Sequence, residues 1–185
     1  MAAKRVAALI SGRGSNMRAL VEQARGYEIV LVASDNLEAA GLSWAEAQGI
    51  PTFALSPRGI GKQAMEQAFL AQFARYDVQA VALAGYMRLL TPEFVAAVRG
   101  TIVNIHPSLL PRYKGLDTHT RALAAGDTQA GCSVHLVTEE LDGGEVLGQA
   151  EVAVLPGDTP DTLAARVLAE EHRLYPRVLT EWLAR

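Results

Sequence analysis

The chain has 185 residues, half of them apolar and a fifth charged, which suits one ordinary domain with a substantial core. A formal net charge of −3 excludes a broad basic field for nucleic acid or an anionic membrane, so an anionic ligand must be held by local devices such as a helix N-terminus. A single cysteine, Cys132, excludes an intramolecular disulfide; with no signal peptide or membrane-spanning run in view, a reducing cytoplasm is the expected home.

Val6–Ile10 is a short apolar run ended by Ser11-Gly12 and predicts a buried strand. Ser15 is placed to cap a helix over Asn16–Arg25. Ile29–Ala33 is a second strand, closed by Ser34-Asp35-Asn36, and a helix over Ala39–Gln48 stops at Gly49. Thr52–Leu55 is a third strand, and Gln63–Tyr76 a helix with Ala64, Ala68, Phe69 and Phe73 on one side. Val78–Ala84 has almost no polar residue, as expected of a strand covered on both faces. Thr91 caps and Pro92 opens the next helix, and Ile102–Ile105 is a fifth strand. Strands alternating with helices at this spacing predict an α/β fold: a mainly parallel, twisted sheet with helices on both faces. The pattern then changes. Cys132–Val137 and Val146–Val154 are joined by Thr138–Glu145, too short for a crossover helix, and so predict an antiparallel C-terminal extension. A helix over Asp161–Trp182, capped by Asp158 or Thr159, closes the chain. No repeat or linker interrupts it, so one domain over 1–185 is expected. Pro107–Asp117 is long and irregular, which favours a functional loop.

Ser11-Gly12-Arg13-Gly14-Ser15-Asn16 lies between a buried strand and a helix, where glycines let backbone N–H groups approach an anion. The plainer reading is a tight turn with a capped helix. A dinucleotide site is disfavoured, although Asp35 ends the next strand as a ribose-binding acid would. Met17 stands where the third glycine of G-x-G-x-x-G is needed for close packing, and a monophosphate fits better. Asn104 and His106 are two apart at the end of a strand, so both point to one side. Pro107 restricts His106 to extended conformations. An amide and an imidazole aimed at one point can stabilise an oxyanion, and the imidazole can move a proton. Asp142, in Leu141-Asp142-Gly143-Gly144, is a loop acid whose carboxylate would favour an imidazolium if it reached His106. His119, His135 and His172 have no ligand-like spacing with each other or with Cys132, so no metal is expected. On the last helix, Glu171 falls in the middle of the apolar stripe Val167, Leu174, Val178 and Trp182, where an acid needs a partner. Pro176 frees the carbonyl of His172.

Taken together, SGRGSN (11–16), AGYMRLL (84–90), NIHPSLLP (104–111), Gly115-Leu116 with Thr118-His119, and LDGG (141–144) occur in the order found in the phosphoribosylglycinamide formyltransferases. The chain resembles that branch of the folate-dependent formyltransferases from its first strand to its last helix. The methionyl-tRNA formyltransferases differ in the first loop and carry an additional C-terminal domain. The formyltetrahydrofolate hydrolases carry an additional N-terminal regulatory domain. Neither extra domain is expected here. The resemblance implies a Rossmann-like formyltransferase fold and the co-substrates 10-formyltetrahydrofolate and glycinamide ribonucleotide. By it, Gly14, Ser15 and Asn16 would hold the substrate phosphate, and Glu171 would contact the sugar or glycinamide end. Lys62, Met87, Arg88, Leu89, Leu90 and Asn104 would line the folate site, and Asn104, His106 and Asp142 would match the catalytic trio. It also admits a homodimer. Lys114 and Asp117 depart from the family pattern, which often has His at the latter. Two rival readings are a hydrolase that releases formate and a phosphometabolite-binding sensor without turnover.

Overall fold

The computed structural model describes residues 1–98 and 101–185. One seven-stranded sheet runs through it in the order β3-β2-β1-β4-β5-β6-β7. The strands are β1 (Lys4–Ile10), β2 (Tyr27–Ser34), β3 (Thr52–Ala54), β4 (Ala80–Leu83), β5 (Ile102–His106), β6 (Gln129–Leu136) and β7 (Val146–Ala153). Every pairing from β3 to β5 is parallel, and β6 and β7 are added antiparallel. The near-continuous apolar strands of the sequence are thus explained: β1 has helices over both faces, and its two sets of alternating side chains enter different cores. Val6, Ala8 and Ile10 pack with Met17 and Leu20 of α1 (Ser15–Glu22) and with Leu163, Val167 and Leu174 of α6 (Pro160–Leu183). Ala7 and Leu9 pack with Met65, Phe69 and Phe73 of α3 (Lys62–Arg75) and Phe94 of α4 (Pro92–Ala97). The buried face of α3 therefore runs through Met65 and Phe69, with Ala64 exposed.

Capping decides the helix starts. The Thr91 hydroxyl accepts from Phe94 N at 3.2 Å to open α4. Thr159, not Asp158, caps α6, exchanging bonds with Thr162, while Asp158 holds Arg166 at 2.8 and 2.9 Å. Ser15 does not cap α1. It is the first helical residue, and the cap position falls to Gly14 in the left-handed region (φ 71), with no side-chain cap bond. A further helix, α5 (Thr118–Ala124), follows the irregular stretch and was not expected. The remaining helix, α2 (Ala40–Ala47), packs beside α1. Pro176 does free the His172 carbonyl, and Gln23 at the end of α1 donates to it at 3.0 Å. One turn further, the fully buried Tyr175 hydroxyl lies 2.9 Å from the Leu83 carbonyl and 3.2 Å from that of Val103, donating its one proton between them. Helix α6 is thereby fixed against α1, the C-terminal end of β4 and the first half of β5. The sheet order reverses between β1 and β4, and in such sheets ligands gather beyond the strand ends at the reversal.

Candidate active site

A cleft of about 830 Å³ opens at that reversal. Its walls include Gly12–Asn16 after β1, Leu83–Leu90 after β4, Asn104–Pro107 at the end of β5, and Glu171 of α6. The loop segments Gly115–His119 and Val137–Asp142 close one side.

At one end, the first amides of α1 face the cleft without a side-chain cap and without an acid in the first turn, the arrangement a helix N-terminus needs to hold an anion. Gly14 cannot be replaced freely: a Cβ there would lie 2.9 Å from Met17 Cε, in a backbone conformation that side chains disfavour. Gly41 of α2 lets that helix sit close to the loop: an added Cβ there would strike Ile10 and crowd the Arg13 carbonyl and Met17. Asn16 is 8% exposed. Its Nδ2 donates to Glu171 Oε1 at 3.2 Å, and its Oδ1 has no partner among the described residues.

Glu171 is buried, and burial pushes its carboxyl up to about 7, with the Asn16 hydrogen bond opposing only in part. The folded chain therefore holds this proton more tightly than the unfolded chain does. The stability it contributes is complete below the ordinary carboxylate value of 4.5 and is lost as pH rises through about 7. Glu171→Gln keeps the shape without the titration. Urea unfolding should show it equal to wild type near pH 4.5 and more stable at pH 8, by roughly 1–3 kcal/mol. Equal stabilities at pH 8 would contradict this account.

In the middle of the cleft, β5 and β6 bring three polar groups together. Their antiparallel register sets Asn104 opposite His135. The Asp142 carboxylate comes from the loop between β6 and β7, where Asp142 itself has φ 49. Asp142 Oδ2 lies 3.5 Å from His106 Nδ1 and accepts from Gly115 N at 2.9 Å. His106 Nε2 lies 2.8 Å from the Tyr113 carbonyl oxygen. A carbonyl can only accept, so Nε2 carries a proton, while Nδ1 faces the Asp142 carboxylate. His135 sits differently. Its Nδ1 donates to the Leu136 carbonyl at 3.0 Å, and burial, opposed by that bond and by Asp142, holds it below the ordinary imidazole value. A neutral ring then presents an Nε2 lone pair to Asn104 Nδ2 at 3.3 Å, in preference to a charged contact with Asp142 Oδ1 at 3.6 Å. Asn104 is left with one amide hydrogen for the cleft.

The formyl transferase family model matches residues 4–179. The chain belongs to the formyl transferase family. It is 42% identical to the phosphoribosylglycinamide formyltransferase of Escherichia coli (strain K12), over 97% of this chain and 86% of that one. The crystal structure of phosphoribosylglycinamide formyltransferase from Brucella melitensis shares its fold with a TM-score of 0.94 at 53% identity, covering 99% of this chain and 97% of that chain. The trifunctional purine biosynthetic protein adenosine-3 of Homo sapiens is 41% identical over 95% of this chain, which spans 18% of that protein.

Within this formyl transferase domain the expected site residues are brought into one cleft with a single exception. Gly14, Ser15, Asn16, Met87, Arg88, Leu89, Leu90, Asn104, His106, Asp142 and Glu171 all line it. Lys62 does not; it opens α3, outside the cleft wall. Asn104 and His106 do share a side of β5, but His106 is not simply aimed at open space, because the Tyr113 carbonyl takes its outer nitrogen. His135, considered in the sequence only as a metal ligand, is the polar residue that sequence reasoning missed. Its signal was there: Ser133 and His135 alternate with Cys132 and Val134, so one face of a buried strand is polar. Among the described residues no group of three or more His, Cys, Asp or Glu side chains is placed to share a metal ion, and no helix is long and apolar enough to cross a membrane.

Proposed function

We propose that this chain transfers the formyl group of 10-formyltetrahydrofolate to the amine of glycinamide ribonucleotide, in the synthesis of purines. Membership of the formyl transferase family supplies the reaction class. The observation that carries the specific reading is one cleft with an uncapped helix N-terminus at one end and a carboxylate–imidazole–amide cluster in its middle. The phosphate fits Gly14, Ser15 and Asn16, with Glu171 toward the sugar. The folate fits Met87–Leu90, where apolar side chains and the amides of Arg88, Leu89 and Leu90, unpaired among the described residues, suit a flat heterocycle with a polar rim. Met87 and Leu89 are exposed there, as are Leu116 and Leu141 across the cleft mouth.

The amine attacks the formyl carbon, and the carbonyl electrons move to its oxygen. The remaining Asn104 hydrogen meets that oxygen, and His106 Nε2 exchanges the Tyr113 carbonyl for it. Asp142 keeps the ring in its charged form. The proton given up by the amine passes through water to the departing folate nitrogen, and holding both substrates in one cleft supplies the proximity.

Steady-state assay of the wild type with both substrates tests the reading. Formyl transfer is expected. Formate release without the amine would identify a hydrolase, and no turnover would leave a binding protein. Gly14→Val fills the anion cradle and should raise KM for glycinamide ribonucleotide at least about ten-fold, with folate affinity little changed. If glycinamide riboside, which has no phosphate, reacts as well as the nucleotide, the anion loop has been misread.

A further inference from the structure

We propose that Asp35 is a positioning residue that joins the anion loop to the formyl-donor end of the cleft, by gripping the Ser11 hydroxyl and the Arg88 guanidinium at the same time. The proposal rests on the assignment of Met87–Leu90 to the folate. Asp35 follows β2 directly, is 8% exposed, and has no part in the chemistry above. Its Oδ1 accepts from Ser11 Oγ at 2.6 Å and its Oδ2 from Arg88 Nε at 2.7 Å. The serine is a relay with a fixed direction. An amide can only donate, so Ser11 Oγ accepts from Met87 N at 3.0 Å while giving its own proton to Asp35. Asn36 adds a second hold, its Nδ2 donating to the Ser11 carbonyl at 3.1 Å. Consecutive residues of the donor wall are thus tied to one carboxylate, Met87 through its backbone and Arg88 through its side chain.

The far end of that wall is tied in the same way. Glu66 of α3, 2% exposed, accepts from Thr91 N at 3.1 Å and from Thr91 Oγ1 at 2.6 Å. Between the two ties, the N–H groups of Arg88, Leu89 and Leu90 have no protein partner among the described residues. A segment with unpaired amides and exposed apolar side chains has little local stability of its own. Holding it in one shape before the ligand arrives lowers the ordering cost of binding. A strand-end acid making a surface ion pair would reach Arg88 alone. It would not also hold, through Ser11, the amide of the preceding residue and the first residue of the anion loop.

The test measures kcat, KM for both substrates, the Kd of tetrahydrofolate by calorimetry, and Tm. Asp35→Asn should weaken tetrahydrofolate binding about ten-fold, the effect of one lost charge-assisted hydrogen bond. At saturation kcat should stay within about two-fold, because the lost contact acts on binding and not on the charge that develops. Ser11→Ala, which removes only the relay, should weaken binding in the same direction, and the double variant should lose less than the product of the two. If Asp35→Asn fails to fold, Ser11→Ala alone decides: weaker tetrahydrofolate binding supports the proposal, and unchanged binding overturns it. Unchanged tetrahydrofolate affinity in a folded Asp35→Asn, or equal weakening for both substrates, also overturns it. Failure of the wild type to bind tetrahydrofolate would instead overturn the functional reading on which it rests.

Discussion

His106→Ala and Asn104→Ala should each lower kcat by about 10²–10³ with little change in either KM, because the oxygen charge they meet exists only after attack on the formyl carbon. Asp142→Asn should do as much damage or more. Its Oδ2 stands at 3.5 Å from His106 Nδ1 and also accepts from Gly115 N at 2.9 Å. The amide variant removes the charge that makes a doubly protonated ring favourable. The two changes at His106 and Asp142 should be strongly non-additive, since either one disables the same proton-handling pair. Steady-state formyl transfer by the wild type, the single variants and the double variant measures this. Near-normal kcat in either His106→Ala or Asp142→Asn would refute the mechanism.

A comparable loss is expected from a residue that has no side chain at all. A Cβ on Gly144 would overlap the carbonyl oxygen of Leu136, the same oxygen that receives His135 Nδ1 at 3.0 Å. Gly144→Ala must therefore move either that anchor or the loop that carries Asp142. A displacement of about 1 Å at the reacting centre can cost about 10² in rate. The control is next door. The atoms nearest a Cβ on Gly143 belong to the Glu140 side chain, whose exposed end can turn away. Gly143→Ala should keep near-normal kcat, and Gly144→Ala should lose about two orders of magnitude in kcat along with several degrees of Tm. Equal kcat in the two variants would show that the loop does not need its present path.

Much of this was legible because the sheet is covered on both sides. Val6–Ile10, Ile29–Ala33 and Ala80–Ala84 show as apolar runs since both of their faces are buried, although β4 starts at Ala80, two residues later than the expected Val78, with Gln79 exposed; the short Thr138–Glu145 connection forces the antiparallel turn. Thr118–Ala124 gave no such signal. Asp117 enters it at φ 55 without a side-chain cap, and Ala122 is its only buried apolar residue, so neither a start mark nor a stripe appears in the sequence. Within the site, motifs gave the trio, but the part played by His135 depends on a strand register, Asn104 opposite His135, that no local pattern fixes. Asp35 was misleading in a more instructive way. It stands where a ribose-binding acid would, yet both of its oxygens are engaged inside the protein, one by Ser11 and one by Arg88.

The contact between Asn16 and Glu171 joins residues 155 apart in the chain, and the Gln23 bond to the His172 carbonyl joins residues 149 apart. At a synthesis rate of about 5–20 residues per second, roughly 8–30 s separate the emergence of the anion loop from that of the acid beside it. The parallel strands β1 to β5 and their helices can pair during that interval, but the wall that carries Glu171 cannot exist until α6 has been made and has docked on α1. A ribosome-bound chain stopped before α6 should thus hold its first loop in place without a finished substrate site, and binding competence should arrive late and abruptly in the life of the nascent protein.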